Sequence, residues 1–299
     1  MGAIQNVALA GATGNLGRPI LEQLLKTEFQ VTVLTRLGGK HSFPESVIVK
    51  EVDYESVESL TAAFQGQDAV VSAVAFAGVA GQINILNAAV KAGVKRLIPS
   101  EFGSDTLNPQ TAALPVFADK VAMDKTIAKE AEKGTITYTS IITGPFFDWG
   151  FGAGLFLNAK EKTIQLYDGG DRHFSTTTLA GIGRAVVAVL RHPEETKNRA
   201  VRVQDIALTL NQLKDIAEKV TGTAWEGEVV DLEEEVLAPA LAELKKEKPD
   251  PSKYIFPQLF ASMFGNGYGG HFQNLDNAIL GLPGLTEAEA EAVVAAALK

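Results

Sequence analysis

The chain contains no cysteine. Disulfide staples, thiolate nucleophiles, zinc ribbons and iron–sulfur clusters are therefore excluded. Histidine is scarce too. His41, His173, His192 and His271 lie far apart, with no HxxxH or HxH spacing, which argues against a histidine-built metal site. Basic residues are in deficit: 27 lysines and arginines face 36 aspartates and glutamates, a formal charge of −9. Nucleic acids and anionic membranes are bound by basic surfaces, so neither is an expected partner. One stretch, 69–90, carries no formal charge and is long enough to span a bilayer. Gly78 and Gly81 break it, and Ser72, Gln82, Asn84 and Asn87 interrupt it with polar groups. It reads as a buried strand, a loop and a helix of a soluble protein. No targeting segment is evident, and the cytosol is the expected compartment.

What is present describes a well-cored α/β chain. Of 299 residues, 46% are hydrophobic and 21% charged, a composition far from that of disordered segments. Short apolar runs alternate with helical patterns. Strands are expected at Asn6–Ala10, Gln30–Thr35, Val47–Val52, Asp68–Ala75, Arg96–Pro99 and Thr135–Thr143. Helices are expected at Gly17–Lys26, Ser56–Phe64, Gln82–Ala92 and Val116–Lys133. Such alternation means a parallel sheet covered by helices on both faces, a Rossmann-type doubly wound fold. After Gly144 the rhythm changes. Helices are expected at Ser175–Leu190, Asn211–Val220 and Glu287–Leu298, and a charge-dense helical region at 226–248, ended by Pro249 and Pro251. That region holds eight acids against three lysines. The resulting division is a cofactor domain over 1–150 and a smaller α/β substrate lobe over 151–299, with some chain returning to the first domain.

The first strand runs into Gly11-Ala12-Thr13-Gly14-Asn15-Leu16-Gly17 and then directly into a helix. A GxxGxxG turn between strand and helix is a dinucleotide-binding arrangement. Gly11 permits the tight exit, Gly14 removes a side chain where backbone must approach pyrophosphate, and Gly17 lets helix and strand pack closely. Thr13, Asn15 and Leu16 complete the loop, and the helix N-terminus offers N–H groups to an anion. No GK[ST] follows, which excludes a Walker loop. The end of the second strand discriminates between nicotinamide cofactors. An acid there would bond the ribose 2′-hydroxyl of NAD. Arg36 stands there instead, with Lys40 close behind, and cations pair with the 2′-phosphate of NADP(H). Asp53 ends the third strand, suited either to the adenine amino group or to capping the next helix. Ala73 closes the fourth strand, where ligands lie in open α/β sheets.

The usual catalytic partner of such a domain, YxxxK, is missing: the residues four beyond the five tyrosines are Glu58, Ile142, Asp171, Gln258 and Phe272. No G-x-S-x-G elbow occurs either. The fifth strand instead leads into Pro99-Ser100-Glu101-Phe102-Gly103. With the glycine loop, Arg36 and this PSEFG segment, the chain resembles the NmrA-like and isoflavone-reductase-like branch of atypical short-chain dehydrogenases. The likeness covers residues 3 to about 150 well. It implies an NADPH-dependent reductase of a small aromatic or conjugated substrate, occurring as a monomer or homodimer. It also implies a catalytic lysine that holds the nicotinamide ribose. Phe117-Ala118-Asp119-Lys120 matches the family's FxxK pattern, which puts the role on Lys120, with Lys125 as a rival. Pro145 and Phe146, directly after the sixth strand, are expected against the nicotinamide, and Phe102, Phe147 and Trp149 against the substrate. The alternative within the family is a non-catalytic NADP(H) sensor that binds a partner protein. A lysine at FxxK favours the enzyme, since a sensor has no need of it.

Overall fold

The computed structural model of the chain describes residues 3–75 and 81–299; Met1, Gly2 and 76–80, Gly78 among them, lie outside the described residues. In chain order the first half forms β1 (Asn6–Ala10), α1 (Gly17–Leu24), β2 (Gln30–Arg36), β3 (Ile48–Val52), α2 (Val57–Phe64), β4 (Ala69–Ser72), α3 (Gln82–Lys91), β5 (Arg96–Ile98), α4 (Pro109–Ala113), α5 (Ala118–Glu132) and β6 (Thr137–Ile142). The second half forms α6 (Phe147–Gly152), β7 (Thr163–Tyr167), β8 (Phe174–Thr176), α7 (Leu179–Arg191), β9 (Arg199–Arg202), β10 (Ile206–Leu208), α8 (Leu210–Thr221), β11 (Glu226–Val230), α9 (Ala238–Glu243), α10 (Pro251–Phe264) and α11 (Glu287–Ala297). A single π-helical stretch, Leu232–Leu237, precedes α9.

Seven strands make one sheet in the order β3-β2-β1-β4-β5-β6-β9. Every neighbouring pair is parallel. The order reverses between β1 and β4, which is the switch point of a doubly wound Rossmann-type sheet. The apolar strand sequences explain why both faces are covered. Along β1, Val7 and Leu9 face the helices α1 and α7, packing with Ile20, Leu24, Ile182 and Val186. Ala8 and Ala10 face the other layer, with Leu60 and Phe64 of α2, Leu86 of α3 and Ile127 of α5. This period-two division is what a strand buried on both sides requires.

The second half contributes to both bodies. β9 extends the sheet beside β6, and α7 packs on α1. The remainder forms a lobe around an aromatic core of Phe147, Phe151, Phe156, Phe174, Trp225 and Phe264. Two small sheets belong to this lobe, β7 with β11 and β8 with β10. Three expectations need correction. The segment from 226 opens as strand β11, not helix, because its Glu-Gly-Glu-Val-Val alternation pairs with β7 and sends the glutamates to solvent. The helix expected from Ser175 begins only at Leu179. Phe174–Thr176 is strand, favoured by its β-branched content, and the Thr178 side chain caps the helix through Gly181 N–H. Pro251 starts a helix instead of stopping one: it occupies the first turn of α10, capped by Asp250, where its missing N–H costs nothing.

Candidate functional site

Parallel register gathers the strand ends along one edge. Ala10 lies opposite Leu34 and Ser72, and Arg36 opposite Val52. The residues that follow, Gly11, Asp53 and Ala73, therefore meet at the carboxyl edge with Arg36. The glycine loop shows distinct needs at each glycine. Gly11 has φ +84°, and a Cβ on it would lie 2.4 Å from the Ala73 carbonyl oxygen. A Cβ on Gly17 would lie 2.0 Å from the Gly11 carbonyl oxygen. Those two are required by the fold itself. Gly14 is different. It is exposed, and the nearest atom to a Cβ there is Gly11 O at 3.4 Å, an ordinary contact. No protein packing demands a glycine at 14, so the open space suits a ligand. The following helix has Leu16 at its N-cap with no side-chain cap; the Arg18 N–H donates to Gly14 O at 3.2 Å and Pro19 has no N–H, which leaves only the donors ahead of Arg18 for an anion. Thr13, Asn15 and Leu16 form this turn, with Asn15 exposed.

Arg36 ends β2, exposed, and among the described residues it has no ion-pair partner. Lys40 is exposed four residues on. Asp53 is exposed, and its Oδ1 accepts from the Glu55 N–H at 3.0 Å. The cap of α2 is Ser56, so Asp53 shapes the turn before the helix and keeps its other oxygen free. Tyr54, absent from the sequence reading, sits beneath the loop, its hydroxyl donating to the Leu34 carbonyl at 3.3 Å. Arg18 was also missed. It is exposed at the start of α1, and its Nε donates to Thr13 O at 3.2 Å, beside the glycine turn. The physical signal for it was a cation in the first turn after the loop.

A second group of candidate site residues lies between the exits of β5 and β6. Gly144 has φ +65° and its N–H donates to Gly103 O at 2.9 Å; the Thr143 N–H donates to the same oxygen at 3.2 Å. The loop after β5 is thus clipped to the exit of β6. Lys120 reaches this clip from α5. Its Nζ donates to Phe102 O at 3.4 Å and lies 4.0 Å from where a Gly103 Cβ would be. Lys120 is 7% exposed, whereas Lys125, Lys129 and Lys133 on the same helix are exposed. Pro145 is buried beside the clip, its carbonyl accepting from the Thr176 hydroxyl at 2.7 Å. Phe146 is half-buried and meets Trp149 edge-on at 6.1 Å between ring centroids.

The aromatic expectations divide. Trp149 is 39% exposed and has surface for a ligand. Phe147 is fully enclosed by Phe151 and Phe156, so the substrate contact expected of it gives way to packing of the lobe. Phe102 likewise lies in the core layer with Ala73 and Ile98, 6% exposed, and its ring anchors the loop whose carbonyl Lys120 meets. Both follow from residue type: a phenylalanine next to a glycine-rich turn is drawn into the nearest core unless something else covers it.

Glu101, quoted in the PSEFG segment without a role, is the most unusual group at the site. It is 1% exposed and neither carboxyl oxygen has a hydrogen-bond partner. Burial pushes its carboxyl up to about 7, opposed by the Lys120 charge and helped by Asp124. Burial also raises Asp124, whose carboxylate accepts from the Ser140 hydroxyl at 2.9 Å. Beyond Gly144, whose Cβ position would lie 2.0 Å from Ser175 O, the Ser175 N–H donates to Gly270 O. There Gly265, Gly267, Gly270 and His271, with Asn108 and Arg172, wall an open cleft of about 460 Å³. No sequence signal pointed to it.

A family model described as the NmrA-like family matches residues 4–264. The chain is 37% identical to oxidoreductase poxI of Penicillium oxalicum, over 72% of this chain and 70% of that protein. It is 33% identical to oxidoreductase aprR of Aspergillus flavus, over 93% of this chain and 94% of that one. In three dimensions it is similar to AtPrR2, solved with NADP+ and (+)pinoresinol, with a TM-score of 0.79 at 21% identity, covering 99% of both chains. Glycine loop, sheet order, PSEFG segment and full-length match agree, and the chain belongs to the NmrA-like family.

Proposed function

We propose that this protein is an NADPH-dependent oxidoreductase that reduces a small aromatic or conjugated substrate, with Lys120 as the catalytic lysine. The observation that carries the reading is the burial of Lys120 at the clip between the β5 and β6 exits, where its three helix neighbours of the same type are solvated. A lysine held in a dry site next to a ligand crevice is placed to move a proton; on a solvated helix face it is not. The residues present fit NADPH. Gly14 leaves room for pyrophosphate, the backbone ahead of Arg18 at the uncapped start of α1 offers N–H donors, and Arg36, without an ion-pair partner among the described residues, is a cation where a 2′-phosphate would lie. Arg18 and Lys40 add cations at the same edge, Asp53 accepts on the adenine side, and Ala73 floors the crevice. When bound, NADPH supplies a hydride. Pro145 and Phe146 exclude water on one side of the crevice, Trp149 offers a flat apolar surface, and Lys120 orients the ribose and gives the proton. Oxidoreductase relatives and a fold shared with an NADP+-bound protein support this reading over a redox sensor. On this reading residues 1–150 bind cofactor and 151–299 build most of the substrate side.

The test is NADPH consumption across aromatic ketones, enones and benzylic ethers, comparing the wild type with Lys120→Ala. Turnover of at least one class, lost about 10²- to 10⁴-fold in the variant while NADPH still binds, is the expected outcome. Tight NADPH binding without turnover of any class would overturn the enzyme reading.

A further inference from the structure

A largely buried group of charged and polar side chains that includes Lys120 is drawn from four elements. Lys120 and Asp124 come from α5, Glu101 and Asp105 from the segment after β5, Arg202 from β9, and Ser140 from β6. Asp105 is satisfied: Arg202 Nε reaches its Oδ2 at 2.7 Å. That leaves Glu101 and Asp124 sharing the field of one cation, Lys120. Two carboxyls withdrawn from water and facing one ammonium bind a proton more tightly than the same groups would in water. Asp124 already accepts from Ser140. Glu101 has no partner at either oxygen, although the Thr106 hydroxyl lies on its side. The proton therefore favours Glu101, the more deeply buried of the two.

We propose that Glu101 is the proton reservoir of the site: its carboxylic acid returns to the Lys120 amine the proton that the amine has given to the substrate. The inference rests on the reading of Lys120 as the catalytic lysine. Reduction adds a hydride and a proton to the substrate. The hydride comes from NADPH, which leaves oxidised as NADP+. The proton comes from Lys120 Nζ, whose N–H bond breaks as the substrate's new O–H or C–H bond forms. The neutral amine then takes the Glu101 proton, leaving a carboxylate that recovers a proton from solvent. Among the described residues no direct ion pair joins Glu101 to Lys120, so the proposal requires a water to carry the proton between them. Glu101 acts through Lys120 and is a positioning residue, not a catalytic one.

Two measurements test this. The first needs no turnover: carboxyl ¹³C NMR of glutamate-labelled protein bound to NADP+, with the Glu101 signal assigned by its loss in Glu101→Gln. The signal should titrate near pH 7 and move to higher pH in Lys120→Met. Titration in the ordinary carboxylate range, or a midpoint indifferent to Lys120, overturns the proposal. The second uses whichever panel substrate the wild type reduces. The wild-type kcat should be full at low pH and decline through about pH 7. Glu101→Gln should be slowed about 10-fold or more, show no inflection there, and bind NADPH with unchanged affinity; Glu101→Asp should restore part of the rate. A wild-type rate and pH profile in Glu101→Gln, with Lys120→Ala inactive, sinks this proposal alone. An active Lys120→Ala sinks the reading beneath it.

Discussion

Reversing the charge at Arg36 separates cofactor choice from cofactor binding. Arg36 is exposed at the end of β2, and no acid among the described residues competes for it. Arg36→Glu should therefore leave the fold intact, since exposed substitutions away from special features usually cost within about 0.5 kcal/mol. Its effect should fall on the 2′-phosphate. Two unit charges about 4 Å apart interact by about 1 kcal/mol in bulk water and about 4 kcal/mol at an effective dielectric of 20. An open edge is closer to the first limit, so losing the cation costs about 1–2 kcal/mol and the new repulsion adds about 1. The sum, about 2–3 kcal/mol, predicts NADPH binding weakened about 30- to 150-fold. NADH carries no 2′-phosphate and should bind as well as before or better, because a glutamate at this place accepts from the 2′-hydroxyl. Titration of both cofactors by fluorescence, at fixed ionic strength, reads the ratio directly. A variant that keeps its NADPH preference refutes the assignment of the phosphate to this strand end.

Gly17→Ala puts a Cβ 2.0 Å from the Gly11 carbonyl oxygen. Backbone must shift there, so thermal unfolding should show a loss of about 1–3 kcal/mol, and NADPH affinity should fall with it. Trp149→Ala and Phe147→Ala should behave oppositely: the first raises KM with little change in Tm, while the second removes a fully enclosed ring and costs about 3–5 kcal/mol of stability. For Glu101 the proton linkage fixes a sign. Its carboxyl is raised from 4.5 to about 7, so the folded chain binds that proton more tightly than the unfolded one. Its contribution is full below about pH 4.5 and lost as pH rises through 7. Glu101→Gln should therefore gain Tm relative to the wild type between pH 5 and pH 8, and equal differences at the two pH values would contradict the buried acid.

Much of this architecture was legible because its signals are local. The β1 turn is a strand exit, a tight glycine and a helix start within a dozen residues, and the steric need of Gly17, against the Gly11 carbonyl, lies within that same turn. The cation at Arg36 was readable because parallel register forces the end of β2 to the same edge as the end of β1. Lys120 needed more. Helical spacing could not distinguish it from Lys125, because the decisive contact, with Phe102 O, comes from eighteen residues upstream. Phe147 was harder for a related reason: Phe151 and Phe156 meet it, but the core is completed by Phe174 of β8, stacked on Phe156 from eighteen residues downstream. The strand at 226–230 was hidden by its glutamates, whose alternation resembles a solvated helix until β7 provides a partner.

The return of the chain to the sheet at β9 bears on the chemistry as much as on the fold. β9 brings Arg202 across to Asp105, ninety-seven residues away in sequence. Without that guanidinium the Asp105 carboxylate, whose charge raises Asp124, would be left unmatched. Arg202 matches that charge, while Ser140 on the adjoining strand gives Asp124 a partner. What remains unpaired is a single buried acid one step behind a single buried lysine. Burying such a group unpaired costs stability, and a fold selected for stability alone would replace Glu101 with an apolar residue of similar size. Its presence at the β5 exit, with Asp105 and Asp124 already partnered, is the pattern expected when local stability is given up to keep a proton within reach of the reacting edge.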